Sequence, residues 1–347
     1  MYKKNSNRPI IGICVSNDQP ALQKLVKKRI DTFHGKATFI KFFLKDLNFK
    51  NLSVKGDYLE NKKGKWKKGI LPFPDVIYLQ SHVALNVVNK IEKIIGRKVF
   101  NSFTLDKLQE SKLLAKHNIL QQHLPHTQKL NEMHLQNFLT KYENIVLKPI
   151  YGKTSIGLIR VELQESGKII AFYREIKTMQ KAEFKSYKDF WNWFSRNFFR
   201  NNYMMQQGIQ TMKWNGMATD IRLNMNKNRN GRWEVSVLLF RIASNNSHLI
   251  PGPLAVVPLA RLTNFNFKKE KIANMEMSIK TLGFKICNAL DKSGHHMADL
   301  GIDLGFDEDG HLWIYEVNSL PHPILGVQDD FSLTRPLEYA HYLALKK

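Results

Sequence analysis

The 347-residue chain carries 53 Lys and Arg against 30 Asp and Glu, a formal net charge of +23, with 43% hydrophobic residues. That length and apolar content support two or three domains with cores of their own and exclude a mainly disordered chain. The charge draws acidic partners at long range, nucleotides, polyanionic polymers, nucleic acid or acidic proteins, without choosing among them.

The two cysteines, Cys14 and Cys287, lie far apart in apolar surroundings. They do not resemble a disulfide framework or a zinc site, and they suit a reducing, cytoplasmic setting. After the basic start Met1-Tyr2-Lys3-Lys4, the apolar run Ile10 to Val15 is short, holds Gly12 and lacks a cleavage pattern, so it reads as a first strand. A helix over 20–33 with Pro20 in its first turn, a strand 37–43, a basic hairpin-like insert 52–70, a strand 75–79 and a helix 82–95 complete an α/β unit. The lysine cluster 62–68 inside the insert reads as a solvated loop. Leu105-Asp106-Lys107-Leu108 opens a helix expected to run to about 118. A helix 132–142 and a strand 145–148 precede the small-residue segment Pro149 to Gly157, then a strand 158–163. The segment lies between strands, unlike a P-loop, which must open a helix, yet its backbone can nest an anion or form an ordinary hairpin turn. The aromatic helix 186–200 reads as core rather than a base-stacking surface. Strand 203–207 follows, then long strands 217–227 and 232–243, a helix 269–293 and a final helix 334–345. Asp220, Arg222 and Arg241 interrupt these apolar strands and point toward a shared polar cleft.

Two apolar runs, 298–306 and 311–317, flank Asp309-Gly310, the dipeptide that best tolerates a tight hairpin turn. Strand alternation places Glu316 and Asn318 on one face, with Tyr315 and Val317 on the other. Asp303 sits in the apolar partner strand, where an unpaired carboxylate is costly to bury. Either a hard divalent cation held by carboxylate and amide oxygens or the chain's own Lys and Arg must compensate it.

Lys107, Lys148-Pro149, the loop 152–157, Gln206-Gln207-Gly208-Ile209, Asp220-Ile221-Arg222, Arg241-Ile242-Ala243, Asp303 and Glu316-Val317-Asn318-Ser319 fall in the order of an ATP-grasp protein. Phe100-Asn101-Ser102, Leu124-Pro125-x-Thr127, Gly231-x-Trp233 and Leu300-Gly301-Ile302-Asp303-Leu304-Gly305 extend the likeness. In this detail the chain resembles the YheC/YheD family of spore-coat-associated ATP-grasp proteins, over roughly residues 70–325.

The resemblance implies an α/β (α+β ATP-grasp) chain: an N-terminal α/β pre-ATP-grasp domain over 1–103, a central subdomain over 104–210 with a lid at 149–157, and a C-terminal subdomain over 211–347. It implies that Lys107, Lys148, Gly152, Lys153, Ser155 and Gly157 meet the phosphates of ATP. Gln206, Gln207 and Ile209 would lie along the base and ribose, and Asp220 would belong to the same nucleotide site. Asp303, Glu316 and Asn318 would hold Mg2+, and Arg222 and Arg241 would stabilise the transferred phosphate or an acyl-phosphate. The loop carries Ser155 where relatives usually have glycine, Gln207 replaces an acid, and Ser244 to Pro258 lacks an asparagine- and glycine-rich substrate loop. The implied activity is a magnesium-dependent carboxylate–amine ligase acting on acidic peptides or spore-coat substrates. A non-catalytic nucleotide-binding coat or assembly protein is the second reading, and non-specific nucleic-acid binding the third. The expected location is the cytoplasm or the spore coat.

Overall fold

The computed structural model describes residues 8–102, 106–151, 156–175, 178–198, 202–243, 253–322 and 331–346. Gly152, Lys153 and Ser155 of the expected lid, and residues 244–252 of the expected substrate segment, lie outside the described residues.

Three sheets organise these residues. The first contains β1 (Ile10–Val15), β2 (Thr38–Phe43), β3 (Leu47–Asn48), β4 (Ser53–Leu59), β5 (Lys67–Pro72), β6 (Val76–Gln80) and β7 (Val99–Phe100), in the order β3-β4-β2-β1-β6-β7 with β5 on β4. β1 pairs in parallel with β2 and β6, and the basic insert is the antiparallel β4-β5 hairpin. α1 (Pro20–Thr32) and α2 (Leu85–Ile95) pack on opposite faces, Val26 and Ile30 against Ile11 and Tyr78, and Val88 and Ile91 against Ile77 and Leu79. β1 is buried on both faces, so its apolar run is continuous rather than alternating.

The helix expected from 105 to 118 divides at Lys116-His117 into α3 (Lys107–Ala115) and α4 (Asn118–Gln121). Asp106 caps α3 by accepting the Gln109 N–H, and Gln109 returns the bond, which fixes the helix start at Lys107. The second sheet is antiparallel: β8 (Thr127–Lys129), β9 (Asn144–Pro149), β10 (Ile159–Leu163), β11 (Ile169–Glu175), β12 (Thr178–Phe184) and β13 (Tyr203–Gln207), in the order β12-β11-β10-β9-β13-β8. α5 (Glu132–Tyr142) and α6 (Tyr187–Asn197) cover one face, where Phe190 and Phe194 are fully buried, so the aromatic helix is core as expected.

The third sheet holds β14 (Lys213–Trp214), β15 (Met217–Lys227), β16 (Trp233–Ala243), β17 (Pro253–Pro258), β18 (Asp299–Phe306) and β19 (Leu312–Asn318), in the order β17-β16-β15-β18-β19 with β14 on β15. Period-two alternation divides it. Ile221, Leu223 and Met225 of β15 and Leu300, Ile302 and Leu304 of β18 pack under α7 (Lys269–Lys292). Asp220, Arg222 and Asp303 therefore project from the other face. α8 (Arg335–Leu345) returns to the first sheet, where Leu337, Ala340 and Leu343 join the core of β1 and β6.

One expectation is corrected at β19. Asp303 lies opposite Glu316, but Leu304 lies opposite Ile314, so Tyr315 is the extra residue of a β-bulge. The bulge turns Tyr315 to the side of Asp303, over Gly305, where an added Cβ would sit 2.3 Å from the phenol oxygen. Val317 alone of the pair faces the core.

Asn101 ties the first sheet to this hairpin. Its amide donates to the carbonyls of Asp299 and Ser319, and its Oδ1 accepts from the N–H groups of Ala298 and Asp299, all between 2.8 and 3.0 Å. Its φ of 59° is one that asparagine tolerates better than most residues. Asn101→Ala strands these buried groups and is expected to cost about 2–4 kcal/mol in urea denaturation. A loss under about 1 kcal/mol would show that Asn101 is dispensable to the hairpin.

Candidate active site

Four predicted residues converge between the second and third sheets. Lys107 at the start of α3, Lys148 on β9, Gln206 on β13 and Glu316 on β19 line one cleft with Glu110, Ser111 and Tyr315. On the adjacent antiparallel strands Lys148 lies opposite Met204 and diagonal to Gln206, and its ammonium donates to Gln206 Oε1 at 2.6 Å. Gln206 Nε2 donates in turn to Thr127 Oγ1 at 2.9 Å, so the Gln206 side chain is spent on holding Lys148 and β8.

Burial pushes Lys148 down to about 8, against the opposing charge of Glu316. A triphosphate placed beside it would favour the charged form and raise that value again. ATP binding is therefore expected to take up protons between about pH 8 and pH 10, with affinity falling as pH rises through that window. Calorimetry at about pH 9 in two buffers of different ionisation enthalpy checks this. Lys148→Arg, which stays charged, should show no uptake. An identical pH slope in both proteins would remove Lys148 from the phosphate site.

Glu110 was not anticipated. It lies one helical turn from Lys107, is 8% exposed, and accepts the Val317 N–H at 2.7 Å. Burial raises its carboxyl well above the usual range, and the charge of Glu316 adds to the rise. In sequence it reads as a surface acid of a short helix. The one signal was its place beside Leu114, four residues on, which is buried.

Next to this cleft, across the third sheet, lies a charged network. Arg222 is directly opposite Asp303, and Asp220 directly opposite Arg241. Arg241 donates to both oxygens of Asp220, Nε at 2.5 Å and Nη2 at 2.7 Å, and Nη2 also reaches Asp303 Oδ1 at 2.9 Å. Arg222 Nη1 donates to the same Oδ1 at 2.9 Å. Burial alone would weaken the charge on Arg241, but Asp303 and Asp220 outweigh it and raise its pKa. Burial pushes Asp220 up to about 6 against the pull of Arg241. Gly301 leaves room for this arrangement, because a Cβ there would lie 3.1 Å from the Arg222 guanidinium. The paired arginines thus answer half of the question posed by the hairpin acids: Asp303 Oδ1 is compensated by the chain's own cations.

The remaining donors fit a hard divalent cation. Asp303 Oδ2, the directly opposite Glu316 carboxylate and Asn318, opposite Gly301, place oxygen donors on one edge of the hairpin that could hold such an ion. Like carboxylates directly opposite one another repel unless a cation lies between or beside them. Among the described residues no three His, Cys, Asp or Glu side chains form a ready-made cage. Magnesium takes one or two carboxylates and completes its shell with phosphates and water. Asn318 Oδ1 also accepts the Leu320 N–H at 2.9 Å, which orients its oxygen.

Other predicted residues lie apart. Gln207 and Ile209 are half-buried at the far end of β13, where Gln207 N–H donates to the His126 carbonyl. Asp220 is occupied by Arg241 rather than turned to the lysine cleft. Gly157, with φ of 75°, accepts a bond from the Tyr203 hydroxyl at 3.0 Å through its carbonyl.

The family model for a YheC/D-like ATP-grasp matches residues 96–343. The Bacillus subtilis (strain 168) endospore coat-associated protein YheD is 24% identical over 97% of the chain and 79% of its own length. The endospore coat-associated protein YheC of the same organism is 24% identical over 88% of each. Among solved structures, a D-alanine-D-alanine ligase from Coxiella burnetii superposes with a TM-score of 0.58 at 8% identity, covering 97% of this chain and 95% of its own. The fold is thereby an ATP-grasp fold. Among the described residues no helix is long and apolar enough to cross a membrane.

Proposed function

The chain belongs to the YheC/D-like ATP-grasp family, and from that premise we propose that it is a magnesium-dependent carboxylate–amine ligase. The observation that carries this reading is the convergence of Lys107 and Lys148 with Glu316 in one cleft, beside Arg222 and Arg241 gathered on Asp303. Lys107 and Lys148 bind and orient the phosphates of ATP. Gln207 and Ile209, outside the lysine cleft, lie along the nucleoside. Asp303, Glu316 and Asn318 would hold the magnesium, which neutralises phosphate charge when bound. A substrate carboxylate oxygen attacks the γ-phosphorus, the bond to ADP breaks, and Arg222 and Arg241 face the charge that develops. An amine then attacks the acyl carbon, and inorganic phosphate leaves with the electron pair of the C–O bond. No protein nucleophile is needed.

The relatives' association with the endospore coat makes acidic coat proteins and peptides the first carboxylates to test. ADP release that rises with an added amine supports the reading; ADP release that no amine or carboxylate changes contradicts it. One observation favours a second reading, a nucleotide-binding coat or assembly protein without turnover: Asp220 occupies both nitrogens that Arg241 would aim at a phosphate. Nucleotide-dependent binding to coat proteins with no ADP formed would select that reading.

A further inference from the structure

A second concave surface lies away from the cleft. A cavity of about 550 Å³ opens between α4 and the C-terminal half of α7, and it shares no residue with the nucleotide cleft. Leu120 and Ala289 are buried at its floor, and Ile119 stands 52% exposed at its edge. Lys116, Lys285 and Lys292 rim it, all exposed, and among the described residues no acidic side chain lines it. Lys285 and Lys292 fall on one stripe of α7 with Asn288 between them, at i, i+3 and i+7.

We infer that this groove docks an acidic peptide segment, an apolar side chain on Ile119, Leu120 and Ala289 and flanking carboxylates on Lys116, Lys285 and Lys292. Charge complementarity selects an acidic partner, since the rim is uniformly basic. The floor favours peptide over nucleic acid: it is aliphatic, and among the described lining residues His117 is the sole aromatic ring, too few for a stacking platform. The amides of Asn118 and Asn288 can pair with a peptide backbone, donating and accepting at once. The volume matches sites that bury a few side chains. This docking goes beyond the ligase reading and needs none of its chemistry.

Fluorescence anisotropy of a labelled peptide of Glu-Glu-Leu repeats, titrated with the full chain near physiological salt, tests the inference. Lys285→Glu with Lys292→Glu, and separately Ile119→Asp, should each weaken binding by at least about tenfold. The control Lys63→Glu with Lys65→Glu removes the same charge from the β4-β5 hairpin and should change affinity by less than about threefold. Asp303→Asn should bind the peptide as wild type does, and the groove variants should turn over ATP as wild type does, so the two readings fail separately. Equal weakening by the control pair overturns the inference in favour of general charge. A single-stranded oligonucleotide of equal charge with the same dependence on Lys285, Lys292 and Ile119 overturns the peptide assignment.

Discussion

Asp303→Asn and Glu316→Gln are each expected to lower magnesium-dependent ADP release by roughly 10³-fold, about 4 kcal/mol of transition-state stabilisation. The two acids face one another across β18 and β19, and the bonds from Arg222 and Arg241 to Asp303 go to its Oδ1. Asparagine at 303 keeps an acceptor for Arg222 and Arg241, so the fold should survive and the loss should be confined to the cation and its phosphates. Thermal melts separate the effects: ATP with magnesium should raise the Tm of the wild type and leave that of either variant almost unchanged. A fall of less than about tenfold in turnover, or an undiminished ATP-induced shift, would detach the hairpin acids from the nucleotide.

Arg241→Leu should have an effect of the same order on turnover and a large one on stability. It leaves Asp220 buried without its bidentate partner, a situation that typically costs about 3–5 kcal/mol. Adding Asp220→Asn removes the stranded charge and should restore most of the stability. Under the proposed role of Arg241, turnover should stay roughly 10³-fold low, because the positive charge assigned to the developing phosphate charge is still missing. Full recovery of turnover in the double variant would make Arg241 a structural counter-ion to Asp220 and favour the reading without catalysis. Urea denaturation and steady-state ADP release on the same preparations give both halves of the comparison.

Much of this architecture is legible in the residues, and the gaps have physical reasons. Asp309-Gly310 between two apolar runs locates the hairpin, and the strands form at Asp299–Phe306 and Leu312–Asn318. The bulge at Tyr315 leaves no trace in composition, since an apolar run reads alike with or without one extra residue. It decides which face the phenol takes. β12 was missed because Thr178–Phe184 is an edge strand whose Lys181 and Glu183 face solvent and pair with each other, so little apolar patterning marks it. β17 escaped for a different reason: Pro253 and Pro258 bracket it, and proline argues against a strand except at an edge, which is where it lies. At the site, Asp220, Arg222, Arg241 and Asp303 could be read from charges interrupting apolar strands, whereas Lys107 and Lys148 stood out only through the likeness to the ATP-grasp order. Which charge pairs with which could not, because pairing depends on register: Asp220 meets Arg241 and Arg222 meets Asp303 only once β15 lies between β16 and β18. Glu110 was hidden because a helix acid one turn from a lysine looks like an exposed pair until tertiary packing buries it.

The most direct test of a ligase is the product. The full chain with ATP, magnesium and pools of amines, amino acids and acidic peptides would be followed by mass spectrometry for a species equal to acid plus amine less one water. The account predicts such a species, formed with ADP and phosphate in equal amounts and absent with Asp303→Asn. ATP bound at the cleft with no ADP and no condensed product in any pool would contradict it.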